Sequence, residues 1–386
     1  MKRPLKQSIC WVLSFVLVVL TITYGVKTGA NAAEKTEKTI RIGYVEGIQL
    51  GSFSQLILKI ACFMEEEGSI REGFSEKYAD VDYELAYEDG DMAALWEDIC
   101  DYNVEGGHYQ FVREACFNME QMAEEELPEI VNRNDVDLMF AMGTVAGEYL
   151  RDHETKNNYM VMVAADPIAS KIVKSETERY AKNAYALIDN TAYQRQIEAG
   201  YKFLHFQKLG IVCEDSKVAY LYSAIDVVRQ KAKELGFEML IENVDEPTDE
   251  EEMPAYYNKL KKAYRRLIKQ GADTIYITFS PIDYENKMQE LLDDAIIPNH
   301  IKTLAQDESL PVRNGVLFGM SQADSEELAF HVTRQLARYT QEGVPFDQLD
   351  MVCECTPKLF LNYQTAQRID FELSFENLQL MDTIYR

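Results

Sequence analysis

The chain has 386 residues, 47% of them hydrophobic and 27% charged, with a formal net charge of −26 at pH 7. Hydrophobic content at this level separates it from disordered chains, and the length allows two ordinary cores. A surface this acidic repels phosphate backbones and anionic lipid, which argues against nucleic acid and peripheral membranes as partners.

Lys2, Arg3 and Lys6 precede a nearly unbroken apolar run over 9–20, and Ala30-Asn31-Ala32 supplies a small-x-small cleavage pattern. Residues 1–32 therefore read as a signal peptide, with the mature chain starting near Ala33 and delivered to the periplasm. The competing reading is an uncleaved anchor, because 21–26 extends the apolar span towards membrane length. Losing Lys2, Arg3, Lys6 and Lys27 leaves 35 basic against 65 acidic residues, a net charge of −30. Cys10 stands at the start of the apolar run, where a lipoprotein cysteine does not belong.

After the leader, strands are expected at 40–45, 83–87, 138–142 and 159–163, with helices between them. Apolar spacing predicts helix over 53–64 and from 94 onwards, and again over 116–131, with Pro128 as a kink. The stretch 96–134 is long for one crossover and reads as two helices joined around Gly106-Gly107. A short strand at 185–188 follows. The second series places strands at 209–213, 237–241, 274–279 and 301–305. Its helices are expected at 221–235 and 256–269, ending at Gly236 and Gly271. The acidic run 245–252 reads as a solvated loop and a helix N-terminus favoured by the dipole. A strand at 316–320, a helix at 324–339 and extended segments at 360–362 and 371–375 close the chain.

Alternation of strands and helices implies an α/β fold: two Rossmann-like lobes with parallel sheets joined by several hinge crossovers. The first lobe is expected over 33–187, with 318–350 returning to it. The second is expected over 188–317, completed by 351–386. Two such lobes suit the enclosure of a small molecule.

In open parallel sheets, ligands bind beyond the carboxyl ends of the strands. Gly143 and Thr144 follow the third strand, where free N–H groups at a helix start suit a carboxylate; Thr144 reads equally as a simple cap. Asp166 and Pro167 follow the fourth, with Asp166 suited to an ammonium or hydroxyl and Pro167 to a first helical position. Asp189 follows 185–188. Ser280 and Asp283 follow 274–279, and Asp307 follows 301–305. Hydroxyls for a carboxylate and acids for an ammonium suggest an amino acid or related zwitterion.

No Gly-x-Ser-x-Gly elbow, His-Glu-x-x-His helix or phosphate loop occurs, so no catalytic residue and no cofactor is assigned and the chain does not read as an enzyme. His108, His153, His205, His300 and His331 are scattered without spaced partners. Six cysteines remain after cleavage: Cys62, Cys100, Cys116, Cys213, Cys353 and Cys355. Cys353 and Cys355 face one way on an extended segment, but no further ligand stands at metal spacing, and buried thiols are the better reading.

The phrases at the strand ends carry a resemblance. Asp137-Leu138-Met139-Phe140-Ala141-Met142-Gly143-Thr144 and Val163-Ala164-Ala165-Asp166-Pro167-Ile168-Ala169 come first. Ala305-Gln306-Asp307-Glu308-Ser309 with Gly315 follows, and Leu361-Asn362-Tyr363-Gln364-Thr365-Ala366 closes the series. In this order they resemble the periplasmic substrate-binding proteins of ABC transporters, tryptophan/aromatic-type, with the type I periplasmic-binding fold. Glu46-Gly47-Ile48-Gln49 departs from that family in lacking its His-Pro phrase, and 96–134 is longer than usual. The resemblance implies a small-molecule ligand, an aromatic amino acid among the options, and an ABC permease in the inner membrane. The same fold in an exported sensor implies a kinase or cyclase as partner instead.

Overall fold

Residues 40–46, Ile-Arg-Ile-Gly-Tyr-Val-Glu, are buried at every position but one, as a strand covered on both faces requires. They form β1 (Ile40–Glu46) in a computed structural model that describes residues 39–79, 92–306, 309–321 and 324–386. The leader, the strand expected at 83–87 and Asp307 lie outside the described residues.

Helix α1 (Gly51–Glu66) buries Phe53, Leu56, Ile57, Ile60, Ala61 and Met64, one stripe at helical spacing. Helix α2 (Met92–Asp101) buries Met92, Leu95, Trp96, Ile99 and Cys100. The next element is a strand, β2 (Tyr109–Asn118), parallel to β1. The helix expected over 116–131 is therefore absent, and two 3-10 turns, Met119–Gln121 and Leu127–Ile130, take its place. The reason is a bulge. Register runs Ile42 to Phe111, then Tyr44 to Cys116, so the residues between break the inward alternation of Tyr109, Phe111, Ala115 and Phe117.

Strands β3 (Leu138–Met142), β4 (Asn158–Met162) and β5 (Ala184–Ala186) complete a five-stranded parallel sheet in the order β2-β1-β3-β4-β5. All five residues of β3 are buried, which is why its sequence is an unbroken apolar run. Helix α3 (Gly143–Asp152) follows β3 directly.

Helix α4 (Ala192–Leu204) leads into the second lobe, with β6 (Lys208–Cys213). The helix expected over 221–235 is two helices, α5 (Lys217–Tyr222) and α6 (Ile225–Leu235), because Ala224 takes a φ of 49° between them. Strand β7 (Glu238–Asn243), helix α7 (Met253–Lys269), β8 (Thr274–Ile277) and β9 (Lys302–Ala305) follow. Helix α8 (Ser309–Arg313) and β10 (Phe318–Met320) come next.

Helix α9 (Ser325–Thr340) packs on α1 and puts Leu328, Ala329, Val332 and Leu336 into the first lobe's core, with Phe346, Leu349, Met351 and Cys355 behind it. Strand β10 stays in the second sheet, so this return starts after Met320 and not at 318, and the first core keeps residues as far as Cys355. Strand β11 (Leu359–Asn362), helices α10 (Tyr363–Arg368) and α11 (Phe375–Gln379), and β12 (Thr383–Tyr385) finish the second lobe. No strand forms at 371–375. Ser374 instead caps α11 by accepting from the N–H of Asn377. The second sheet runs β12-β11-β10-β9-β8-β6-β7, parallel throughout except for the β10–β11 pair.

Three connections join the lobes: 187–191, the stretch between β10 and α9, and 350–358. The first and third lie side by side: Ile188 N–H donates to Met351 O at 2.8 Å, and Cys353 N–H donates to Ile188 O at 3.0 Å. The first two leave from the C-terminal ends of β5 and β10. Both sheets therefore turn their C-terminal ends to the hinge side, and the loops after β1, β3, β4, β6, β8 and β9 border the cleft.

Candidate functional site

The turn after β1 comes close to α3. A Cβ on Gly47 would stand 2.4 Å from Val145 Cβ, so only glycine allows this approach. At α3 itself Gly143 has a φ of 80°, with the Phe53 ring 2.9 Å from where its Cβ would lie. Thr144 is buried, and its Oγ1 accepts from Ala165 N–H at 3.2 Å. It therefore braces the loop after β4 and does not cap α3, whose N-cap is Met142.

Asp166 caps the next turn: Oδ1 accepts from Ile168 N–H at 3.0 Å and Ala169 N–H at 2.8 Å. Pro167 opens a turn over 167–170 and not a helix, a correction to the helix start expected there. Asp189 is held by Arg195, with Oδ2 accepting from Nη2 at 2.6 Å and Oδ1 from Nη1 at 3.1 Å. Its side chain is 12% exposed, and Arg195 also reaches Cys355 O across the hinge. A carboxylate bound in this way serves the hinge first.

In the second lobe, Ser280 is not at a helix start. Asp283 performs the capping, with Oδ1 accepting from Asn286 N–H at 2.9 Å, and it is exposed. Gln306, at the end of β9, is buried and ties three elements together. Its Oε1 accepts from Phe279 N–H at 3.0 Å, its Nε2 donates to Tyr222 O at 2.6 Å, and its carbonyl accepts from Gln196 Nε2. Ser216 caps α5 through Ala219 N–H.

Two features at the strand ends escaped the sequence reading. The first is Glu46, the last residue of β1, which is 2% exposed. Its Oε2 accepts from Tyr44 OH at 2.7 Å and its Oε1 from Asn118 Nδ2 at 2.9 Å. Burial pushes the carboxyl up from its ordinary 4.5 to about 6, against the lowering effect of both hydrogen bonds. The second is a set of exposed apolar side chains at the strand ends. Ile48 (40%), Val145 (40%) and Val163 (37%) follow β1, β3 and β4, and Val218 (62%) and Phe279 (40%) follow β6 and β8. Tyr222 lies 6.4 Å from the Phe279 ring. Apolar walls around a few fixed polar groups are what a small-molecule cleft requires.

Among the described residues no group of three or more His, Cys, Asp or Glu is placed to hold a metal ion. All six described cysteines are free thiols.

No family model matches the chain, and no curated protein matches it. Solved structures do. A conserved domain protein from Vibrio cholerae shares 13% identity at a TM-score of 0.60, covering 90% of this chain and 100% of that one. An ABC domain in complex with L-Trp from Streptococcus pneumonia shares 15% at 0.59, with the same coverage. A ligand-free, open substrate-binding protein with adhesive properties from Clostridium difficile shares 15% at 0.61, again over 90% and 100%. Over nearly its whole length, then, the chain has the two-lobed, hinge-connected type I periplasmic-binding fold.

Proposed function

We propose that this protein is the solute-binding component of an ABC transporter, a binder and not an enzyme, that closes two lobes over a small molecule and presents it to a membrane permease. The observation that carries this reading is the set of exposed apolar side chains that follow the strand ends in both lobes, Ile48, Val145 and Val163 in one and Val218 and Phe279 in the other. Left in water they cost free energy, and closure around an apolar ligand removes them from it. The three connections supply a hinge, and ligand binding energy shifts the open and closed populations.

The apolar side chains at the strand ends favour an amino acid with an apolar or aromatic side chain, a class to which the L-Trp bound by the Streptococcus protein belongs. The basic flank, apolar run and Ala30-Asn31-Ala32 support export with cleavage near Ala33, and hence work outside the inner membrane.

The test is a thermal-shift screen of the mature protein against the amino acids, with nucleosides and sugars as comparison sets. Small-angle scattering on any hit then reads closure. We expect stabilisation by aromatic or large aliphatic amino acids, together with a smaller radius of gyration. Absence of stabilisation by any soluble small molecule sinks the reading, and stabilisation by sugars alone sinks the ligand class.

A further inference from the structure

The third connection carries two thiols at the point where all three meet. Cys353 Sγ and Cys355 Sγ are 3.9 Å apart, Cys355 buried and Cys353 partly open. The backbone N–H of Cys353 donates to Ile188 O of the first connection at 3.0 Å. Cys355 Sγ lies 3.9 Å from the carbonyl of Asp324, the last residue of the second. The Cys355 carbonyl accepts from Arg195, whose guanidinium holds Asp189 of the first. The other cysteines, Cys62, Cys100, Cys116 and Cys213, lie within the lobes.

From this geometry we infer that Cys353 and Cys355 are a redox-responsive dithiol that closes to a disulfide and stiffens the hinge. The oxidant is an external disulfide, either a small molecule or an exposed protein disulfide. Cys353, the more open of the two, gives up its proton to water and attacks one sulfur of that disulfide as the thiolate. The S–S bond breaks, and the departing thiolate takes up a proton. The thiolate of Cys355 then attacks Cys353 Sγ, forms the intrachain bond and releases the second thiol. The chain has lost two protons and two electrons, and the external disulfide has become two thiols.

Bond formation brings the sulfurs from 3.9 Å to about 2.05 Å. The backbone over 353–355 loses freedom beside Ile188. Disulfide formation does not depend on which ligand the cleft takes. Its effect on motion rests on the two-lobed hinge reading.

The test uses the full mature chain equilibrated in buffers of reduced and oxidised glutathione, followed by mass spectrometry with peptide mapping. We expect loss of two hydrogen masses, located in the peptide that holds Cys353 and Cys355. Hydrogen exchange in peptides covering 185–192 and 349–357 should slow by about tenfold on oxidation. Cys353→Ser and Cys355→Ser should each abolish the intrachain bond, and Cys355→Ser should take glutathione on the open Cys353. Should either variant fail to fold, differential alkylation of the unmodified chain at each buffer ratio reads the same pair. Glutathione adducts on separate cysteines, or a disulfide elsewhere, overturn the pairing. A 353–355 disulfide with unchanged exchange at 185–192 overturns the effect on the hinge while leaving the ligand reading intact.

Discussion

Glu46 should give the fold a measurable dependence on pH of its own. In the unfolded chain its carboxyl ionises near 4.5, and in the folded protein burial holds that back to about 6. Between these values the folded state keeps a proton that the unfolded state has released, so stability falls as pH rises. A difference of about 1.5 units at roughly 1.4 kcal/mol per unit gives a loss of about 2 kcal/mol, half of it by about pH 5.2 and nearly all by pH 7. Other carboxylates titrate in the same range, so the quantity to measure is wild type minus Glu46→Gln. Urea unfolding at half-unit steps from pH 4 to 8 gives it. The glutamine still accepts from Tyr44, but its amide meets Asn118 Nδ2, while Asn118 Oδ1 is engaged with Glu120 N–H at 3.0 Å. That mismatch costs the variant a constant amount, so the slope and not the level carries the result. We expect the variant to gain about 2 kcal/mol on wild type across the range. Parallel curves would falsify the buried, proton-retaining carboxyl.

Asp166→Asn keeps a good cap and loses the charge, whereas Asp166→Ala loses both and should cost about 1 kcal/mol of stability. If Asp166 also pairs with a ligand amine, both variants weaken binding by roughly 2–5 kcal/mol in calorimetric titration; wild-type affinity in the asparagine variant limits Asp166 to capping. Gly47→Ala places its Cβ against Val145 and should cost about 1–3 kcal/mol, read in thermal melts, and an unchanged melt refutes the close approach. Phe279→Ala removes an exposed ring, so stability should move by no more than about 0.5 kcal/mol. Its affinity for an aromatic amino acid should fall by about tenfold or more, and an unaltered titration removes Phe279 from the cleft wall.

Strands buried on both faces, such as Leu138–Met142 and Lys208–Cys213, were legible because their environment demands unbroken apolar runs. Tyr109–Asn118 was not, since its bulge hides a period of two behind Arg113 and Glu114. Ala224 broke a helix whose side-chain pattern ran straight through it, because a left-handed backbone leaves no mark when the residue is alanine. At the site, the strand-end rule located the right loops but not the state of their residues. Asp189 looked available until Arg195, six residues on, took both its oxygens. Glu46 was visible only as part of a turn, because its partner Asn118 is brought alongside by the strand that the sequence concealed.

The two cores are interleaved along the chain, which bears on how the molecule is made. The first needs Leu328, Val332 and Leu336 on α9, and the second needs Phe360 and Leu361 on β11. Neither can be completed while the last quarter of the chain is missing, so partial chains lack the contacts that make folding cooperative. While the chain is being made, then, the residues already synthesised stay without a complete core, and the folded state can form only once the last segment is present.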